Sequence, residues 1–160
     1  MKRQRGMVLL ISLVLCLLLG LLAASALSDG LLQTRLASQL LANARALEQA
    51  EAALLEGAAR LVVASPPACQ PCMPPADAFD VQGSQGGWQA GNSGFFFLQN
   101  LGESTRAAHL PADLPVNLYR VTAVSQQTHA RQVLEAVYAI EAGQPTALHR
   151  ILWRQRLREP

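Results

Sequence analysis

The sequence predicts an α+β protein in which a long N-terminal helix packs on a small antiparallel sheet of about four strands. Three observations lead there. Gly6 to Ser28 is a run of 23 residues without a charge. Helical spacing of apolar residues then continues to Val63, with no proline before Pro66. Beyond a proline- and glycine-rich stretch, the chain turns to short runs with strand patterning. One helix and one sheet bury their apolar faces against each other.

The opening segment comes first. Met7 to Leu27 is 21 residues, interrupted only by Ser12, Gly20 and Ser25. As a helix it covers about 31 Å at 1.5 Å per residue, enough to cross a bilayer core. Lys2, Arg3 and Arg5 precede it and predict a cytoplasmic N-terminus, which places the rest of the chain across the membrane. Three readings fit such an opening. It is a secretory signal peptide with the A-x-A-like triplet Ala24-Ser25-Ala26, a signal anchor, or a segment processed before the apolar run, between Gly6 and Met7. A lipoprotein site at Cys16 is disfavoured by the bulky residues before it and its mid-span position.

The residues after Leu27 separate these readings, because the helical pattern does not stop. Leu32, Leu36, Leu40, Leu47, Leu54 and Leu61 recur at helical spacing, with Ala44 and Ala58 filling the stripe. Polar residues from Arg35 to Arg60 flank them, and Ala and Leu dominate, both strong helix formers. Asp29-Gly30 marks an expected local bend. The chain thus divides into residues 1–6 as a leader, 7–27 as an apolar span, 28–64 as an amphipathic continuation, and 65–160 as a loop and sheet head.

Ser65 to Asp80 holds five prolines, which exclude helix and central strand there. A glycine-rich stretch, Gly83 to Gly94, completes a long loop. Gly94–Leu101 reads as a first strand. Leu118–Ser125 alternates Tyr119, Val121 and Ala123 against Arg120, Thr122 and Val124. Arg131–Glu141 alternates Leu134, Ala136, Tyr138 and Ile140 against Val133, Glu135, Val137 and Ala139, and the two runs form a hairpin. Thr105–Pro115 is a polar connection, and Ala147–Arg156 is a last strand.

Composition narrows the chemistry. The chain has 13 basic and 11 acidic side chains, and three of the basic ones lie in the leader. The basic balance is therefore largely a leader effect, and no basic patch interleaved with aromatics points to nucleic acid. No nucleophile elbow, metalloprotease helix or phosphate-binding glycine loop is present, so no catalytic residues are assigned, and no cofactor is expected. Cys69-Gln70-Pro71-Cys72 has the spacing of a redox or metal motif. Thioredoxin-like pairs open a helix after a strand, whereas this one lies among prolines. A zinc site needs four ligands, and His109, His129 and His149 are scattered, so no metal is expected. An extracytoplasmic disulfide between Cys69 and Cys72, or a simple pair of thiols, is the better reading. Cys16 reads as an apolar filler. Asp77 and Asp80 could pair across a site but read as solvated, and Glu48, Glu51 and Glu56 read as a polar helix face or a subunit contact. Trp88 and Phe95-Phe96-Phe97 read as core on at least one face. Arg150, Arg154, Arg156 and Arg158 form a cationic strand and tail, which blunts an edge or binds an acidic surface.

Taken in order, these segments carry a resemblance. A basic leader ending in Gly, an apolar helix running into an amphipathic one, and a small β head resemble a type IV pilin-like protein, more narrowly a minor pilin of the PilX class. The matching segments are RQRGMVLLISLVL, ALEQAEAALLEGAARL, LYRVTAVS with ARQVLEAVYAI, and LWRQ. The resemblance implies that a prepilin peptidase cuts between Gly6 and Met7 and methylates the Met7 amine. It implies residence in the inner membrane with a periplasmic head, then in the pilus, with other minor pilins, the major pilin and the inner-membrane assembly platform as partners. Most pilins carry Glu five residues into the mature chain, where it pairs with a neighbour's N-terminal amine. This chain has Ile11 there. A subunit with no neighbour ahead of it has no amine to neutralise, so Ile11 suits the filament tip and a priming role. The alternatives are a type II secretion pseudopilin, a single-pass anchored periplasmic binding module, and a thiol-disulfide oxidoreductase using Cys69 and Cys72.

Overall fold

The computed structural model describes residues 4–127, 129–141 and 147–158. Of Lys2, Arg3 and Arg5, on which the topology expectation rests, Lys2 and Arg3 lie outside them. Helix α1 runs over Gln4–Val63. The five strands are β1 (Gln89–Ala90), β2 (Gly94–Ser104), β3 (Val116–Ser125), β4 (Val133–Glu141) and β5 (Leu148–Arg156). The arrangement is α+β, as the sequence predicts, with one strand more than the expected four. The addition, β1, has two residues and pairs with Phe95 and Phe96 of β2.

The chain divides into two compact units after Leu41. The first is helix alone. It continues without interruption through Asp29 and Gly30, so the expected bend does not break it. A single glycine costs roughly 1 kcal/mol relative to alanine, which the flanking leucines tolerate.

In the second unit, Ala42–Val63 of α1 packs on the sheet. The buried face is made by Ala46, Ala50, Ala53, Leu54, Gly57, Ala58 and Leu61. Leu54, Ala58 and Leu61 of the expected stripe lie in it and Leu47 packs against it, while the rest of the stripe is corrected. Ala44 is exposed, as are Leu32, Leu36 and Leu40 in the first unit. The physical reason is close approach. A Cβ on Gly57 would stand 2.6 Å from Val121 Cγ1, so the face that meets the sheet is the one with small residues.

The sheet is an antiparallel meander in the order β1-β2-β3-β4-β5. Register places Leu98, Val121 and Ala136 in one row, and Asn100, Tyr119 and Tyr138 in the next. That side carries the main core, with Phe96, Ala123, Leu134 and Ile140, and the helix covers it. The opposite side carries the rows Phe97–Thr122–Glu135–Arg154 and Gln99–Arg120–Val137–Leu152. Here Val124 and Val133 form a second cluster with Ala78, Val81 and Trp88. Covered on both sides, β4 is buried from Val133 to Ile140. A bulge between Asn100 and Gly102 bends β2. Gly102 takes φ 96°, where glycine alone is unstrained, and its N–H donates to Asn100 Oδ1 at 2.9 Å.

Candidate functional site

Two segments carry the residues that the sequence singles out, and they lie in separate units. In the helical unit, Met7 and Ile11 are 69 % and 59 % exposed, and leucines line every side of the span. The helix is long and apolar enough to cross a membrane. Its few polar side chains are satisfied internally. Ser12 donates to Leu9 O at 2.9 Å, Ser25 to Leu22 O at 2.9 Å and Ser28 to Ala24 O at 3.0 Å. Such back-bonding lets serine sit in hydrocarbon without an orphaned hydroxyl. A Cβ at Gly6 would meet nothing within 4 Å, so the helix itself does not require glycine there.

The second segment is the strap, residues 66–81, which crosses the sheet on the side opposite the helix. Its expected lack of regular structure is corrected by a short 3-10 turn at Ala76–Phe79, which Pro75 precedes. Proline fits there because the first positions of a helical turn leave N–H groups unpaired anyway. Cys69 and Cys72 are joined as a disulfide, S–S 2.00 Å, across a bend at Gln70 and Pro71 and not at a helix start. The bridged turn sits against β2 and β3. Cys69 N–H donates to Asn100 O at 3.1 Å, Asn100 Nδ2 to Pro66 O at 3.2 Å, and Gln99 Nε2 to Met73 O at 2.8 Å.

Arginines fasten the rest, a role that sequence reasoning missed. Arg120 donates to Cys72 O at 2.9 Å, Arg156 to Pro75 O at 2.8 Å, and Arg131 to both Phe79 O and Val81 O. Burial lowers the pKa of Arg131, and Arg158 lowers it further against the opposing pull of Asp80. Beneath the strap lies Glu135, 1 % exposed, which accepts from Arg154 at 2.8 Å. Arg120 Nε stands 3.4 Å from the same oxygen, near enough for charge attraction but without hydrogen-bond geometry. The available signal was a glutamate in a strand of apolar residues, its two arginine partners on the neighbouring strands.

The remaining candidates resolve individually. Asp77 accepts from the Trp88 indole at 3.2 Å, and Asp80 pairs with Arg158 at 2.9 Å, so the two carboxylates do not pair across a site. Glu56 accepts the Asn92 N–H at 2.9 Å and ties the helix to the β1–β2 turn, while Glu48 and Glu51 are exposed. Phe96 enters the main core, and Phe95 and Phe97 join Trp88 on the other side. Among the described residues, no three His, Cys, Asp or Glu side chains gather as metal ligands would. No family model, curated protein or solved structure matches this chain.

Proposed function

We propose that this chain is a structural minor pilin that primes type IV pilus assembly at or near the filament tip. The observation that carries the reading is the single helix α1. It is apolar and exposed on all sides where a membrane or filament core would cover it, and small-faced where it packs on the sheet. An exposed apolar surface of that extent calls for lipid or neighbouring helices. The open space around Gly6 adds to this. With no demand from the fold, a glycine at that position fits a demand from a peptidase active site.

In this reading the chain first rests in the inner membrane with its head in the periplasm, then leaves it with the pilus. The Cys69–Cys72 bridge serves structure and not catalysis. It closes a bend in the strap and does not sit at a helix N-terminus of the kind that activates a redox thiolate. The test is the mature N-terminus, read by mass spectrometry on protein from its native membrane. A chain that begins at N-methylated Met7, and that stays uncut in a Gly6→Leu variant, is expected. A mature chain beginning at Leu27 would overturn the pilin reading.

A further inference from the structure

We propose that the depression beside the end of β5 binds a phosphate monoester, carried either on a soluble molecule or on a lipid headgroup. Two contiguous cavities, of about 320 and 430 Å³, share Phe79, Arg156, Leu157 and Arg158 in their walls. The first also takes in His129 and Arg131. Three guanidinium groups therefore meet around one opening.

Their present partners leave the charge unspent. Arg156 donates to a neutral carbonyl, that of Pro75. Arg131 donates to Phe79 O at 3.1 Å, and Arg158 reaches the same oxygen at 3.4 Å. Two like charges are thus held side by side on a single acceptor. Carbonyls satisfy donors without cancelling charge, so fastening the strap explains the hydrogen bonds and not the positive excess. Among the described residues, Asp80 is the one carboxylate paired with these arginines, and its side chain is 79 % exposed. Three cations against one anion leave an excess of two. A phosphate monoester carries about 1.5 to 2 negative charges at neutral pH, which matches that excess.

Geometry agrees with charge. Guanidinium forks offer paired donors to phosphate oxygens, and a concave wall concentrates their field. The Phe79 ring, with Arg158 5.4 Å from its centroid, and Leu157 give an apolar wall for the carbon side of an ester.

The experiment uses the full chain in neutral detergent and isothermal titration calorimetry. One arm titrates glucose 6-phosphate, with glucose as the blank. The other adds micelles carrying phosphatidic acid, with phosphatidylcholine as the blank. Saturable binding in either arm supports the site and identifies the source. Arg158→Gln should weaken it by about tenfold or more, as expected for one charge-assisted contact. Arg158→Lys, which keeps the charge and loses the fork, should weaken it less. Arg106→Gln, in the β2–β3 connection, should leave it unchanged. Circular dichroism checks that each variant folds. The proposal is overturned by no binding in either arm, or by equal binding in Arg158→Gln and Arg106→Gln. The last outcome would mean a diffuse anion-binding surface and no discrete pocket. None of these outcomes bears on how the N-terminus is processed.

Discussion

Gly57 sets the distance between helix and sheet. Its missing side chain lets α1 approach until Val121 and Phe96 fill the space that a Cβ would need. Gly57→Ala therefore overpacks the core and should destabilise the head by about 1–3 kcal/mol, measured by chemical denaturation. Gly30→Ala, with open space around it, should not. Tyr138 behaves differently. Burial raises its pKa above 10, with Arg150 opposing. The folded state holds the phenol neutral, while the unfolded chain releases the proton near pH 10. Stability from this group is fully present below pH 10 and is lost as pH rises through the folded value. Thermal melts across pH 9 to 11 should fall less in Tyr138→Phe than in the parent chain, and an identical fall would refute the assignment. At this scale the sequence was legible where alternation decides: Tyr119, Val121 and Ala123 share a face as read. It was silent on Gly57 and Glu135, whose roles depend on partners distant in sequence.

Elements were read best where the pattern is periodic. The helix end, the two central strands and β5 follow from apolar spacing and proline placement. The helix face followed in part: Leu54, Ala58 and Leu61 are buried as spaced, but Ala44 is not, and the rest of the contact follows Ala46, Ala50, Ala53 and Gly57. Leucines mark a helix that must be covered by something, and small residues mark where a flat sheet does the covering. The strap was legible only as a loop, because its hold comes from arginines contributed by other elements. Opening the Cys69–Cys72 bridge should loosen that segment and spare the sheet. Closing so short a loop stabilises by about 2 kcal/mol at most. In a Cys69→Ser, Cys72→Ser variant, hydrogen exchange should rise across 66–81 and stay slow in β3 and β4. Uniformly faster exchange would mean that the bridge holds the whole head.

For the whole molecule, the proposed role makes Ile11 decisive. In a filament core an unpaired amine is strongly disfavoured. A subunit with Ile11 offers no carboxylate to one ahead of it, though its own amine is still available to the glutamate of one behind. It therefore fits the leading end, at low copy number. Immunogold labelling should mark filament tips, and labels spread evenly along shafts would defeat the tip assignment. Ile11→Glu should leave the fold of the head intact, since Ile11 belongs to the separate helical unit, and should admit the subunit to the shaft. The sequence could suggest this because the apolar segment is read residue by residue against a pattern. Of the basic depression the sequence showed Arg156 and Arg158 as a cationic strand end and tail, but not the depression itself, because Phe79 of the strap and Arg131 of the β3–β4 connection join them only on folding.

The strap also fixes an order of events. Every strand pairs with the next one in the chain, so the sheet can zip up hairpin by hairpin as the polypeptide emerges, each step closing only a short loop. The strap is made before all of them, yet one of its anchors, Pro75, waits for Arg156, 81 positions later. Gln99, Arg120 and Arg131 can take hold of the strap earlier, but the anchor at Pro75 closes only when the last strand arrives, so the tail works as a latch on a finished head. A chain ending at Gln155 should keep β2 to β4 resistant to thermolysin while the strap is cut near Phe79. Full protection of the strap in that shortened chain would show that it closes without the latch.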